Sequence, residues 1–175
     1  MEGEKSLKIS GSYGTHLGPL IACMNKTTGD VLELGMGFFS TPYLHYQCLL
    51  SKRKLVSYDN DVGWVRNYAE SDYQHYLYRG EYHEIKLAED WSTIDIEKPW
   101  DVVLVDQTPD LARKETVKRL ANLAKYIIIH DSNERHEPVY HYSEIYPLFK
   151  YKRVWDKDDR HATVLSNFVE LDNLW

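Results

Sequence analysis

One segment near the start of the chain, residues 29–41 (GDVLELGMGFFST), constrains the fold most. A short apolar run that contains Glu33 leads into two glycines, Gly35 and Gly37. Because glycine has no Cβ, the chain can turn sharply there and a nucleoside can approach the main chain closely. The third glycine of the dinucleotide pattern G-x-G-x-x-G is absent, and Ser40 stands in its place. The segment predicts a parallel strand, a tight turn and the first turn of a helix.

Apolar runs of strand length alternate with helix-like stretches along most of the 175 residues. Parallel strands are predicted at five places: 31–34, 55–58, 82–87, 101–105 and 126–129. Helices are predicted at four places: 17–24, 41–50, 63–71 and 112–124. Runs such as VVLV and YIII are apolar throughout, as is typical of central strands that helices cover on both faces.

The last part of the chain has a different pattern. Residues 151–155 and 162–166 are strand-like, and the charged turn between them leaves no room for a helix, so we expect an antiparallel hairpin. The sequence therefore predicts an α/β fold: a doubly wound, Rossmann-like sheet of five parallel strands plus a C-terminal antiparallel hairpin, with helices on both faces. We expect a single domain over residues 1–175, with 1–12 as a loose N-terminal segment.

An acidic residue closes or follows nearly every predicted strand: Glu33, Asp59, Asp90, Asp106 and Asp131. Any one of them is by itself expected to be a helix cap or a solvated carboxylate. Ligands of open parallel sheets, however, bind beyond the carboxyl ends of the strands, near the point where the strand order reverses. Five carboxylates at this one edge therefore predict a ligand site there.

Asp59 has the clearest predicted role, because it ends the second strand some twenty residues after the glycine turn. A carboxylate in that position can accept both hydroxyls of a ribose, and Asn60 lies beside it. Asp90 is placed to accept a hydrogen bond from an exocyclic amine such as the N6 of adenine. Trp91 can cover the base, although burial as a core residue is an equal alternative.

In these motifs the chain resembles the class I S-adenosylmethionine-dependent methyltransferase family over roughly residues 14–169. The resemblance is carried by ELGMGFFS (33–40), VSYDND (56–61), AEDW (88–91), DVVLVD (101–106) and the closing hairpin. It implies S-adenosylmethionine as the cofactor. It also assigns cofactor contacts to five residues: Glu33, Gly35, Gly37, Asp59 and Asp90. With their neighbours Ser40, Asn60 and Trp91, and with Asp106, these residues form the predicted cofactor site. A nicotinamide-dependent dehydrogenase is the competing interpretation, and the missing third glycine and the terminal hairpin disfavour it.

Two loops at the ends of the fourth and fifth strands concentrate groups suited to the methyl acceptor. We predict Asp106, His130 and Asp131 as catalytic residues, with His130 as the general base because an imidazole titrates near neutral pH. In small-molecule O-methyltransferases that the chain resembles, carboxylates here bind a divalent cation, which Asp106, Asp131 and Asn133 would hold. The neighbouring acid of those relatives is Ser132 in this chain, so no metal is included in the predicted site.

The composition limits the partners. A net charge of −6 without a basic stripe disfavours nucleic acid. No apolar run reaches membrane-spanning length, and neither Cys23 nor Cys48 has metal or redox spacing, so we expect a cytoplasmic protein with free, buried thiols.

Little sequence lies outside the predicted core, which favours transfer to a hydroxyl of a small molecule. A homodimer could complete the acceptor pocket. The main alternative is a non-catalytic module that binds S-adenosylmethionine or a nucleoside. A methyltransferase that acts on protein or nucleic acid is the third possibility, and the acidity of the chain disfavours it.

Overall fold

The computed structural model describes residues 11–69, 82–157 and 160–175. Its strands are β1 (Val31–Leu34), β2 (Leu55–Asp59), β3 (His83–Leu87), β4 (Trp100–Val105), β5 (Ala124–Ile129), β6 (Tyr151–Trp155) and β7 (Ala162–Ser166). Its α-helices are α1 (Leu17–Asn25), α2 (Ser40–Ser51), α3 (Val62–Ala69), α4 (Leu111–Leu120) and α5 (Glu137–Tyr140). Short 3-10 turns lie at Gly11–Gly14, Glu134–His136, Tyr142–Glu144 and Tyr146–Leu148.

The strands form one seven-stranded sheet in the order β3-β2-β1-β4-β5-β7-β6. The first five strands are mutually parallel, and β7 pairs antiparallel with both β5 and β6. The predicted fold class is therefore confirmed, including the C-terminal hairpin. The chain passes from β1 outward to β3 and then returns to β4, so the strand order reverses between β1 and β4, where open sheets of this type form a crevice.

Helices cover both faces of the sheet, and each face has its own apolar core. On one face, α1 and α2 pack their buried residues, among them Leu20 and Leu44, against β1, β4 and β5. On the other face, α4 and the segment 140–145 cover the sheet through residues such as Val117 and Ile145. The alternation of strand side chains between two apolar layers explains why β4 and β5 are apolar throughout.

Two predicted boundaries differ from the described structure by more than one residue, the end of helix α4 and the start of β5. Helix α4 ends at Leu120 rather than at Ala124, and Ala124 begins β5. Ala124 is buried in β5, as a residue on the apolar face of a helix would be, so its spacing alone did not show where the helix ends. The main chain has left the helix by Leu123, whose C=O accepts the N–H of Trp100. The predicted helix 63–71 is described to Ala69. Residues 70–71, and the predicted loose segment apart from residues 11 and 12, lie outside the described residues.

Candidate active site

The two glycines of the β1–α2 turn meet different surroundings. Gly35 has a positive φ of 90°, and a Cβ at this position would lie 2.5 Å from the carbonyl carbon of Asp106. Among the residues that the structure describes, a Cβ on Gly37 would meet only the Ser40 hydroxyl, at 3.8 Å. Gly35 is therefore required for the close approach of two backbone segments, whereas the described surroundings of Gly37 leave room for a side chain.

Glu33 lies below this turn and does not reach the crevice directly. Its side chain is fully buried, and its two carboxylate oxygens accept hydrogen bonds from Thr41 Oγ1 (2.9 Å) and Ser57 Oγ (2.6 Å). Thr41 Oγ1 in turn accepts the N–H of Gly37, at 2.9 Å. Burial raises the pKa of Glu33 to about 7, against the lowering effect of hydrogen bonds from neighbouring hydroxyls that include Ser40. Glu33 and Ser40 thus support the turn from beneath, and their contact with a cofactor stays a prediction.

Asp59 connects the end of β2 to the glycine turn. Its Oδ2 accepts the N–H of Met36 (2.7 Å) and its Oδ1 accepts the N–H of Asp61 (2.8 Å). Burial raises the pKa of Asp59, while these backbone hydrogen bonds oppose the rise. A carboxylate can accept about four hydrogen bonds, so both oxygens retain capacity for the hydroxyls of a ribose.

A cleft of about 720 Å³ opens at the carboxyl edge of the sheet next to Asp59. Asn60, Asp90 and Trp91, which the sequence places around a bound adenosine, all line this cleft, and α4 forms its opposite wall. Trp91 is buried to 7% exposure, and its Nε1–H donates to the carbonyl of Thr108 (2.6 Å). Asp90 is exposed. Its Oδ1 accepts a hydrogen bond from the N–H of Ser92 (2.8 Å), which lowers the pKa of Asp90.

The three predicted catalytic residues come together at the ends of β4 and β5. His130 Nδ1 lies 3.1 Å from Asp106 Oδ1 and 3.8 Å from Asp131 Oδ2. Asp131 adopts the left-handed region with φ of 54°, which turns the chain at the strand end. The side chain of Asp106 is 25% exposed, whereas those of His130 and Asp131 are almost fully buried. Asp106 is therefore the one member of the trio whose side chain is partly exposed.

Arg113 on α4 holds this cluster together, and the sequence analysis missed it. Its guanidinium lies 2.9 Å from Asp106 Oδ1 and 3.8 Å from Asp131 Oδ2, and it donates to the carbonyls of Asp106, Gln107 and His130. Burial opposes the charge of Asp106, but His130 and Arg113 prevail and hold the pKa of this carboxyl far below its usual range. The available signal was position: Arg113 lies one turn before the buried Val117, on the apolar face of α4.

A second missed pair, Thr15 and His16, covers the other side of His130. Thr15 Oγ1 lies 2.9 Å from His130 Nε2. The His16 ring meets the His130 ring edge to face, with 4.8 Å between the centroids. His16 is buried to 2% exposure, and neither of its ring nitrogens has a hydrogen-bond partner among the described residues. Burial, followed by the charge of His130, lowers the pKa of His16 to about 4.

No protein-family model and no curated protein matches the sequence of the chain. Solved structures do match its fold. A proposed O-methyltransferase from Klebsiella pneumoniae is similar with a TM-score of 0.64 and 14% identity, covering 93% of this chain and 83% of that one. An O-methyltransferase from Bacillus cereus, solved with S-adenosylhomocysteine, has a TM-score of 0.62 and 15% identity, covering 92% and 84%.

A proposed tRNA (m1A22) methyltransferase from Streptococcus pneumoniae, solved with S-adenosyl-L-methionine, has a TM-score of 0.54 and 9% identity, covering 90% and 75%. The chain has the class I methyltransferase fold. The names of these solved proteins give different acceptors, oxygen in two of them and tRNA in the third. The shared fold therefore does not identify the acceptor of this chain.

Within this methyltransferase fold, the two carboxylates predicted as cation ligands are already in ion pairs. Asp106 and Asp131 both face Arg113, and Asp131 Oδ1 also accepts a hydrogen bond from Arg160 (2.9 Å). Two guanidinium groups therefore compensate the two carboxylates. Over residues 11–69, 82–157 and 160–175, the one group of His, Cys, Asp and Glu side chains close enough together to be considered for a metal is His16, Asp106 and His130.

None of the helices in the described part of the chain is both long and apolar enough to span a membrane.

Proposed function

We propose that this protein is an S-adenosylmethionine-dependent methyltransferase that transfers the methyl group to a hydroxyl of a small molecule. The observation that carries the proposal is the cleft at the switch point of the sheet, where Asn60, Asp90 and Trp91 lie around one cavity beside Asp59. The solved structures from Bacillus cereus and Streptococcus pneumoniae contain S-adenosylhomocysteine and S-adenosyl-L-methionine, which supports the same cofactor here.

We place the methionine part of the cofactor over the turn of Gly35 and Gly37, which follows the carboxyl end of β1. The ribose hydroxyls then bind Asp59. The adenine enters the cleft against Trp91, with its N6 amine donating to Asp90. This orientation directs the sulfonium toward Asp106, because Gly35 lies directly against the backbone of that residue.

Methyl transfer needs alignment of the acceptor and removal of one proton. The acceptor oxygen attacks the methyl carbon, the C–S bond breaks with its electron pair on sulfur, and the cofactor leaves as a thioether. We assign the proton of the hydroxyl to the hydrogen-bonded pair of Asp106 and His130. Asp131 is buried and held by Arg113, Arg160 and Tyr140 Oη, so we assign it a positioning role rather than contact with the acceptor.

The acceptor, the compartment and the assembly state belong to the same proposal. Two free, buried cysteines, Cys23 and Cys48, support a reducing and hence cytoplasmic compartment. A small acceptor and a homodimer that completes the acceptor pocket both stay predictions.

Calorimetric titration tests the cofactor assignment. We expect S-adenosylmethionine and S-adenosylhomocysteine to bind and NAD not to bind. Asp59→Asn should raise the Kd for S-adenosylmethionine at least about tenfold, since it removes a charged acceptor from the ribose. Asp61→Asn is the matched control, because Asp61 is exposed and accepts only the nearby N–H of Gly63 within the described residues. Tighter binding of NAD, or equal effects of the two variants, would contradict the proposal.

A non-catalytic binding module is the second candidate, and the burial of His130 beneath Thr15 favours it. The two functions differ in turnover. A catalyst releases S-adenosylhomocysteine when an acceptor is present, whereas a module binds the cofactor with the affinity expected above and transfers methyl to no hydroxylated compound of a broad panel.

A further inference from the structure

The His16 side chain is the one feature of the acceptor end that the proposed function leaves unexplained. Its imidazole is neutral at physiological pH, because burial lowers its pKa to about 4. It therefore carries one N–H donor and one acceptor nitrogen, and both are buried without a partner in the part of the chain that the structure describes. Buried polar groups in folded proteins are nearly always paired, so two unpaired nitrogens on one ring point to a ligand that completes them.

The neighbouring polar atoms lie close enough to bind one small group together with His16. One ring nitrogen of His16, one of His130 and one carboxylate oxygen of Asp106 lie within 4.8 Å of one another. A single hydroxyl, which both donates and accepts hydrogen bonds, can contact a cluster of this size.

The charge of the cluster favours the same conclusion. The carboxylates of Asp106 and Asp131 are compensated by the guanidinium groups of Arg113 and Arg160. A divalent cation would add two uncompensated positive charges beside a buried arginine, while a neutral hydroxyl leaves the balance unchanged.

Asp106 is the partly exposed member of the cluster. Thr15 and His16 close the cluster on the side of the N-terminal segment, where both are nearly fully buried. The Asp106 side chain is 25% exposed, and the proposed function places the sulfonium beside it. A hydroxyl that enters past Asp106 would thus reach His16 from the same side as the methyl group.

We propose that His16 is a further catalytic residue, whose ring N–H donates a hydrogen bond to the oxygen of a neutral hydroxyl acceptor while Asp106 and His130 take its proton. This inference rests on the proposed function and specifies its acceptor as an uncharged alcohol or phenol. As the O–H bond breaks, negative charge develops on the acceptor oxygen, and a preorganised N–H in a buried site stabilises that charge. The oxygen then bonds to the methyl carbon, and the proton leaves through the exposed edge of Asp106.

His16→Gln tests this role, with phenol and the more acidic 4-cyanophenol as acceptor probes and radiolabelled S-adenosylmethionine as donor. We expect His16→Gln to lower kcat/KM for phenol by about 10- to 100-fold, with a smaller loss for 4-cyanophenol, whose oxygen needs less stabilisation. The Kd for S-adenosylmethionine should stay within about twofold. His161→Gln removes an imidazole outside the cluster and should leave both rates unchanged.

A second readout does not depend on turnover. In ¹⁵N-labelled protein loaded with S-adenosylhomocysteine, we expect phenol to shift the ring ¹⁵N signals of His16. Absence of that shift, or equal losses for both phenols in His16→Gln, would overturn the inference while calorimetry still supports the cofactor. Zn²⁺ binding to the wild-type protein that His16→Gln abolishes would overturn it in favour of a metal site. Failure of S-adenosylmethionine itself to bind would refute the proposed function instead.

Discussion

The two halves of the candidate site are built in different ways. The cofactor half, formed by the β1–α2 turn and the ends of β2 and β3, is held by backbone groups: Asp59 accepts the N–H of Met36, and Thr41 accepts that of Gly37. The acceptor half, formed by the ends of β4 and β5 with Thr15, His16 and α4, is held by charged side chains from distant segments. The first half therefore depends on local turns, and the second depends on charge compensation in the interior.

Arg113→Met should have the largest effect on the acceptor half. It leaves Asp106 and Asp131 buried beside each other without their shared cation, which we expect to lower the free energy of unfolding by about 3–5 kcal/mol. Urea denaturation of the wild type and the variant measures the loss. Arg66→Met is the control, because Arg66 is exposed on α3. A loss below about 1 kcal/mol would show that side-chain charges do not hold this half together.

The two glycines of the cofactor half separate folding from binding. Gly35→Ala places a methyl group against the backbone of Asp106 at positive φ, so we expect a loss of about 2–4 kcal/mol in the free energy of unfolding. Gly37→Ala has room for its methyl group, so we expect near wild-type stability but a Kd for S-adenosylmethionine raised about tenfold or more. Thermal unfolding and calorimetry on both variants check this; normal cofactor binding by Gly37→Ala would contradict our placement of the methionine.

The smallest expected effect concerns the pH dependence contributed by Glu33. Its folded-state pKa is raised from 4.5 to about 7, so the folded protein retains a proton that the unfolded chain loses above pH 4.5. The stability contributed by this proton is fully present below about pH 4.5 and is lost as the pH rises to about 7. A tenfold difference in proton affinity corresponds to about 1.4 kcal/mol, so we expect the stability of the wild type relative to Glu33→Gln to fall by about 2 kcal/mol between about pH 5 and about pH 6.5.

Denaturation of the wild type and Glu33→Gln between about pH 4.5 and about pH 7.5 measures this difference. The exposed Glu170→Gln serves as the control. Parallel stability curves for the wild type and Glu33→Gln would show that Glu33 is ionised in the fold at all these pH values.

The contrast between the halves also explains what the sequence could predict. The strands, the glycine turn and the position of Asp59 could be predicted from local patterns. Each depends on a few consecutive residues and on the alternation of strands and helices along the chain. The five-stranded parallel sheet and its hairpin were predicted correctly for the same reason. Asp90 and Trp91 were predicted as site residues from their place in the sequence after the third strand, and both line the cleft.

The acceptor half was only partly predictable. Asp106, His130 and Asp131 could be named because they follow strands, but their compensation by Arg113 and Arg160 arises from tertiary packing. His16 precedes α1 by one residue and is 114 positions from His130 in sequence; its contact with that ring depends on how α1 packs on the sheet. The one local sequence signal of the ion pairs around Asp106 and Asp131 was a charged residue, Arg113, on the apolar face of α4.

The close approach of Gly35 to the carbonyl group of Asp106 bears on our proposed placement of donor and acceptor. In that placement, main-chain atoms alone join the proposed seat of the methyl donor to the start of the proposed acceptor loop. We therefore expect substitutions of side chains that shape the acceptor pocket to leave the reacting distance unchanged.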